Sequence, residues 1–76
     1  MGHKVLITGV AGFIGSNLLD YLLKETDWII DGYDNLSTGS IANIQPALSE
    51  ERFTFVEKDA FEIESLKPYS KIFHLA

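Results

Sequence analysis

The chain has 76 residues, no cysteine and a formal net charge of −5. A chain this short is one small domain at most and buries only about 60% of the surface its unfolded form exposes, with no disulfide or thiolate metal site to staple it. Its 46% hydrophobic content marks a globular protein, and its acidic balance without a basic stripe argues against a nucleic-acid binder, whose affinity rests on lysine and arginine.

No signal peptide and no long apolar span can be read, so a cytoplasmic protein away from membranes is expected. The Met1-Gly2 start resembles a myristoylation site, but Leu6 stands where Ser or Thr is needed.

Residues 4–8 are apolar in succession at Val5, Leu6 and Ile7, the pattern of a parallel strand covered on both faces. The run Thr8-Gly9-Val10-Ala11-Gly12-Phe13-Ile14-Gly15 follows and opens into a helix over about residues 12–24. Ile14, Leu18 and Leu22 lie four apart with Leu19 and Leu23 beside them, which predicts a core-facing stripe. A second strand is expected over 28–33, closing on Asp34-Asn35, followed by a polar loop over 36–39. Ser37 or Thr38 could cap a short helical piece over 40–48 in which Ile41, Ile44 and Leu48 share a face. Pro46 should limit that piece to one or two turns, broken at Gln45.

The third strand is expected over 53–57, a short helical turn over 61–67 stopped by Pro68, and a fourth strand over 70–76. Strands alternating with helices imply an α/β fold with right-handed crossovers. The expected architecture is a partial Rossmann fold: half of a doubly wound sheet, four parallel strands in the order 3-2-1-4.

Strand, glycine turn and helix in that order build a phosphate site, because the helix N-terminus aims backbone N–H groups and a partial positive charge at an anion. Gly9 can take the angles of a sharp turn, Gly12 lets a pyrophosphate come close, and Gly15 lets the helix pack near the strand. Asp34, about twenty residues beyond the last glycine, can accept hydrogen bonds from both hydroxyls of an adenosine ribose. Its charge and the lack of an arginine in the next loop favour NAD over NADP. Asp31, three residues earlier, reads as a partly exposed strand residue. Asp59 sits just past the third strand, where it can meet an adenine amino group beside the Ala60 backbone, and with Glu62 it also resembles a capping box; the two roles are compatible.

His74 reads as a satisfied core histidine and His3 as a strand-end residue without a partner. Tyr33 and Tyr69 read as packing and surface residues. No metal-ligand spacing is present, and no nucleophile–base pair can be argued.

Together, the glycine run, Asp34-Asn35-Leu36-Ser37-Thr38-Gly39, Asp59-Ala60 and Phe73-His74-Leu75-Ala76 resemble the N-terminal part of an extended short-chain dehydrogenase/reductase, most closely the nucleotide-sugar epimerases of the UDP-glucose 4-epimerase type. The resemblance implies that Phe13 and Ile14 lie against the pyrophosphate through their backbone. It implies that Asp34 and Asn35 hold the ribose while Leu36, Ser37, Thr38 and Gly39 wrap that end of the cofactor. Asp59 and Ala60 would contact the adenine, and Leu75 and Ala76 would begin the loop along the rest of the dinucleotide.

The family acts through a Ser or Thr and a Tyr-x-x-x-Lys pair, and none of Lys24, Lys58, Lys67 or Lys71 stands four residues after a tyrosine. No catalytic residue is therefore assigned. Residues 1–76 are expected to form a truncated NAD-binding half-domain without the substrate domain, its partners NAD or an adenine nucleotide, with a nucleotide sugar bound only in a longer parent. The alternatives are a fragment of a related dehydratase or decarboxylase, or a non-catalytic self-associating module. A homodimer through the uncovered sheet face or the strand-four edge is expected in either case, because an exposed apolar edge invites pairing.

Overall fold

Lys4–Thr8 forms the first strand, β1, at the centre of a parallel sheet. The computed structural model describes residues 3–58 and 69–75. The expected helical turn over 61–67, Asp59, Ala60 and Ala76 lie outside the described residues. The other elements are a helix α1 (Phe13–Glu25), β2 (Ile29–Asp34), a 3₁₀ helix (Ile41–Ser49), β3 (Phe53–Glu57) and β4 (Lys71–His74). The sheet order is β3-β2-β1-β4, as expected, and every pairing is parallel.

Register places Thr8 opposite both Tyr33 and His74, and Asp34 opposite Glu57. The carboxyl ends of the strands therefore share one edge, where an open α/β sheet binds its ligands. Alternation sends Val5, Ile7, Ile30 and Phe53 to one face, where Val10, Leu19, Leu22, Ile44 and Ala47 complete the core. Gly32 keeps that face passable: a Cβ there would stand 2.8 Å from both the Phe53 ring and the Val10 side chain.

The buried stripe of α1 is Gly15, Ser16, Leu19 and Leu22, rotated from the expected one. Leu18 and Leu23 pack at its margin, whereas Ile14 is 69% exposed. The reason is the turn: Gly15 seats the first helical turn against the Gly9 backbone, which leaves Ile14 outside the buried stripe.

The segment after β2 also differs from expectation. It is a nine-residue 3₁₀ helix that runs through Pro46, capped by Ser40, whose Oγ accepts from the Ala42 amide at 3.2 Å. Neither Ser37 nor Thr38 caps it. Three residues per turn put Ile44 and Ala47 on the buried side, so Leu48 is left 40% exposed.

Arg52 ties the far end of the molecule together. Its Nη2 donates to the Leu23 carbonyl at 2.6 Å, and its Nη1 to those of Thr26 and Trp28 at 2.9 and 3.0 Å. Carbonyls at a helix C-terminus have no intrahelical donors, and a cation also complements the helix dipole there.

On the opposite face Asp31 is buried, not partly exposed. Tyr69 Oη donates to its Oδ2 at 2.7 Å, and Lys4 Nζ lies 3.9 Å from the same oxygen. The contact spans 38 residues of chain, so no local pattern announces it. Partial burial, then the Asp31 hydrogen bond and charge, push the Tyr69 phenol above its ordinary 10.0. A phenol that ionises later in the folded chain than in the unfolded one stabilises fully below pH 10, and that stability is lost as pH rises through the folded value. Resistance to urea should therefore weaken above pH 10 in the native chain and less so in Tyr69→Phe. Identical alkaline limbs for the two proteins would refute the assignment.

His3 is likewise not without a partner: Nδ1 lies 3.3 Å from Ser70 Oγ, and the ring meets Trp28 edge-on at 5.5 Å.

Candidate functional site

The sharp turn after β1 is made by Gly9 at φ 74°, a left-handed conformation that costs a side-chain-bearing residue about 1–2 kcal/mol. The Gly9 and Val10 amides both donate to the Tyr33 carbonyl, at 2.8 and 3.3 Å, which fastens the turn to the end of β2. Gly12 is the N-cap of α1 and carries no side chain to cap it. The Ser16 amide is the one that reaches back to the Gly12 carbonyl, at 2.9 Å, so those of Phe13, Ile14 and Gly15 lie ahead of it at the open helix end.

An open cleft of about 300 Å³ lies there, lined by Gly9, Gly12, Phe13, Ile14, Gly15 and Leu75. A Cβ on Gly12 would meet only the Gly9 carbonyl oxygen, at 3.4 Å, so the space over Gly12 is open. Leu75 reaches the cleft because its amide donates to Thr8 O and Thr8 Oγ1, both at 3.1 Å.

Asp34 ends β2 beside this turn and is 8% exposed. Its Oδ2 accepts from the Ala11 amide at 2.8 Å and its Oδ1 from the Leu36 amide at 2.7 Å. The acid thus touches the glycine turn itself as well as the loop beyond. Leu36 takes φ 63°, a left-handed turn for a branched residue, and Asn35 Oδ1 accepts from the Ser37 amide at 2.9 Å. Gly39 then packs on the turn: a Cβ there would stand 2.8 Å from the Ala11 carbonyl and 3.0 Å from the Gly12 nitrogen. The structure therefore brings Gly9, Gly12, Phe13, Ile14, Gly15, Asp34, Gly39 and Leu75 together at one edge. Asn35, Ser37 and Thr38 lie along the loop between Asp34 and Gly39, with Ser37 and Thr38 exposed.

His74 is not a core residue. It is exposed on the edge strand β4, with Nδ1 2.8 Å from Thr8 Oγ1. The strand is apolar around it, but among the described residues it has only β1 beside it in the sheet, and alternation turns His74 away from the face that α1 covers.

Sequence reasoning missed Asn43. Its Nδ2 donates to the Ala11 carbonyl at 2.8 Å, and the Ser40 amide donates to the same oxygen at 3.1 Å. The available signal was weak: an asparagine four residues beyond Gly39 on a helical piece that was expected to break.

A parallel sheet in the order 3-2-1-4 with a glycine turn after its central strand defines the Rossmann class of α/β fold. The family described as GDP-mannose 4,6-dehydratase matches residues 6–76. The chain belongs to that family of extended short-chain dehydrogenases/reductases. It is 39% identical to the UDP-glucose 4-epimerase of Mycolicibacterium smegmatis over 96% of its own length and 25% of the relative's. It is 37% identical to UDP-glucuronic acid decarboxylase 2 of Arabidopsis thaliana, over 99% of this chain and 16% of that one. Among solved structures, UDP-glucuronic acid 4-epimerase from Bacillus cereus in complex with NAD superposes with a TM-score of 0.84 at 34% identity, over 96% of this chain and 26% of that one. The chain thus spans about a quarter or less of the length of these relatives.

Proposed function

We propose that this chain holds the adenosine half of NAD, as the cofactor-binding part of a nucleotide-sugar epimerase of the UDP-glucose 4-epimerase type. The observation that carries the reading is the direct contact between Asp34 and the glycine turn, 2.8 Å from Oδ2 to the Ala11 nitrogen. A carboxylate then braces the turn whose uncapped helix N-terminus opens on the cleft, an arrangement suited to a ribose and to the phosphates attached to it. The NAD complex of the B. cereus relative supports the choice of cofactor, and the names of the relatives support a nucleotide sugar as substrate of the whole enzyme. Phe13 and Ile14 would meet the pyrophosphate through their amides, Asn35 to Gly39 would border the ribose, and Asp59 and Ala60 would meet the adenine. The reaction itself, which oxidises a sugar hydroxyl and returns the hydride, needs residues that these 76 do not contain. A related dehydratase or decarboxylase would use the same half-site.

Calorimetry with NAD, ADP-ribose and AMP tests this. ADP-ribose and NAD should bind alike, since the nicotinamide would find few contacts, and AMP more weakly. If none of the three binds, the reading fails.

Self-association is a second, compatible reading. It is favoured by Ile72, 48% exposed on β4. A second copy packed on that open face of the sheet would cover it.

A further inference from the structure

The Ala11–Gly12 peptide is gripped from outside the glycine turn, and the grip is supplied by the segment after β2. The Ala11 carbonyl accepts from Asn43 Nδ2 at 2.8 Å and from the Ser40 amide at 3.1 Å. The same two residues are joined to each other, since the Asn43 amide donates to the Ser40 carbonyl at 2.9 Å. On the other side of the residue, the Ala11 amide is held by Asp34, and the Gly12 amide donates to the Gly9 carbonyl at 3.1 Å. Ala11 is 0% exposed, so its carbonyl has no solvent to fall back on. A carbonyl has two lone pairs, and both are used here.

We infer that Asn43 is a positioning residue for the anion end of α1. It touches neither the cleft nor the open helix amides. It acts through Ala11: with both lone pairs of that oxygen occupied, the Ala11–Gly12 peptide cannot rotate, and the following amides of Phe13 and Ile14 keep one direction. Asp34 and Asn43 therefore form a two-sided clamp, of which only the acid is expected to meet the ligand. The inference rests on the proposed nucleotide site for its consequence in binding, but its structural half stands without any ligand.

The test compares Asn43→Ala with Ala47→Gly in the full chain. Ala47 is buried in the same 3₁₀ helix and is not among the partners of Ala11, so its replacement loosens the helix without removing the clamp. Amide hydrogen exchange of Ala11 and Gly12 is read first, without ligand, at denaturant concentrations that equalise global stability. Asn43→Ala should exchange these two amides about five to ten times faster than Ala47→Gly, the worth of one hydrogen bond. ADP-ribose affinity should fall by the same about five to ten times in Asn43→Ala, while adenosine, which has no phosphate, should bind both variants equally. Equal exchange in the two variants at matched stability would overturn the clamp. Faster exchange with unchanged ADP-ribose affinity would overturn its positioning role. If the unsubstituted chain binds no ADP-ribose, the nucleotide reading fails with it, and the positioning role is overturned even where the exchange difference stands.

Discussion

Gly15→Ala should destabilise the folded chain by about 3 kcal/mol, the upper range for overpacking a tight contact. The total available to 76 residues is only about 4–11 kcal/mol. A Cβ at Gly15 would fall on the Gly9 carbonyl oxygen and stand 2.9 Å from the Val10 Cα. Both neighbours are backbone and cannot swing aside, so α1 would have to slide off the turn and take Leu19 and Leu22 out of the core with it. Gly12→Ala offers the contrast. Its Cβ meets only ordinary contact, so the folded state should change by no more than about 1 kcal/mol, the scale of an N-cap change. It would instead fill the space in which the pyrophosphate is proposed to lie, and ADP-ribose affinity should drop by at least about tenfold, or 1.4 kcal/mol. Urea midpoints and calorimetry on the two variants separate the roles. A Gly15→Ala chain unfolding at the native midpoint would refute the close-approach account. Full ADP-ribose affinity in Gly12→Ala would refute the proposed position of the phosphates.

Asp34→Asn should damage both folding and binding. The two carboxylate oxygens each accept a backbone amide, from Ala11 and from Leu36, at a position 8% exposed. An amide side chain has one oxygen, so one buried N–H would face an NH2 group instead. Leaving a buried donor unsatisfied costs about 1–3 kcal/mol. The affected peptides are the turn and the left-handed Leu36, so the geometry of the proposed ribose site should loosen as well. The urea midpoint should fall and ADP-ribose binding should weaken by more than about tenfold, as expected when a charged acceptor is lost. A variant with native stability and native affinity would remove Asp34 from both roles.

These two sites show what could be read in the chain beforehand. The glycine turn was legible because its geometry is local: Gly9, Gly12 and Gly15 follow an apolar strand and open a helix, and steric freedom at fixed spacing is visible without a fold. Strand order was legible for a related reason, since alternating strands and helices with right-handed crossovers leave few arrangements. The place of Asp34 at the end of β2 was legible from its distance to the glycines. Asp31 was misread because its burial depends on Tyr69, 38 residues away. His74 was misread because an apolar run looks the same in a central strand and at a sheet edge.

By itself, the sequence determined the class of fold, the sheet order and the residues of the glycine turn, all of which rest on short-range sterics and hydrophobic periodicity. The tertiary structure alone decided which face of α1 is buried, how the segment after β2 is wound, and that Asn43 and Asp34 grip Ala11 from two sides. The grip on Ala11 depends on side chains reaching backbone groups more than twenty residues away. A one-dimensional pattern carries the period of a helix, but its rotation about its own axis is set by what it packs against.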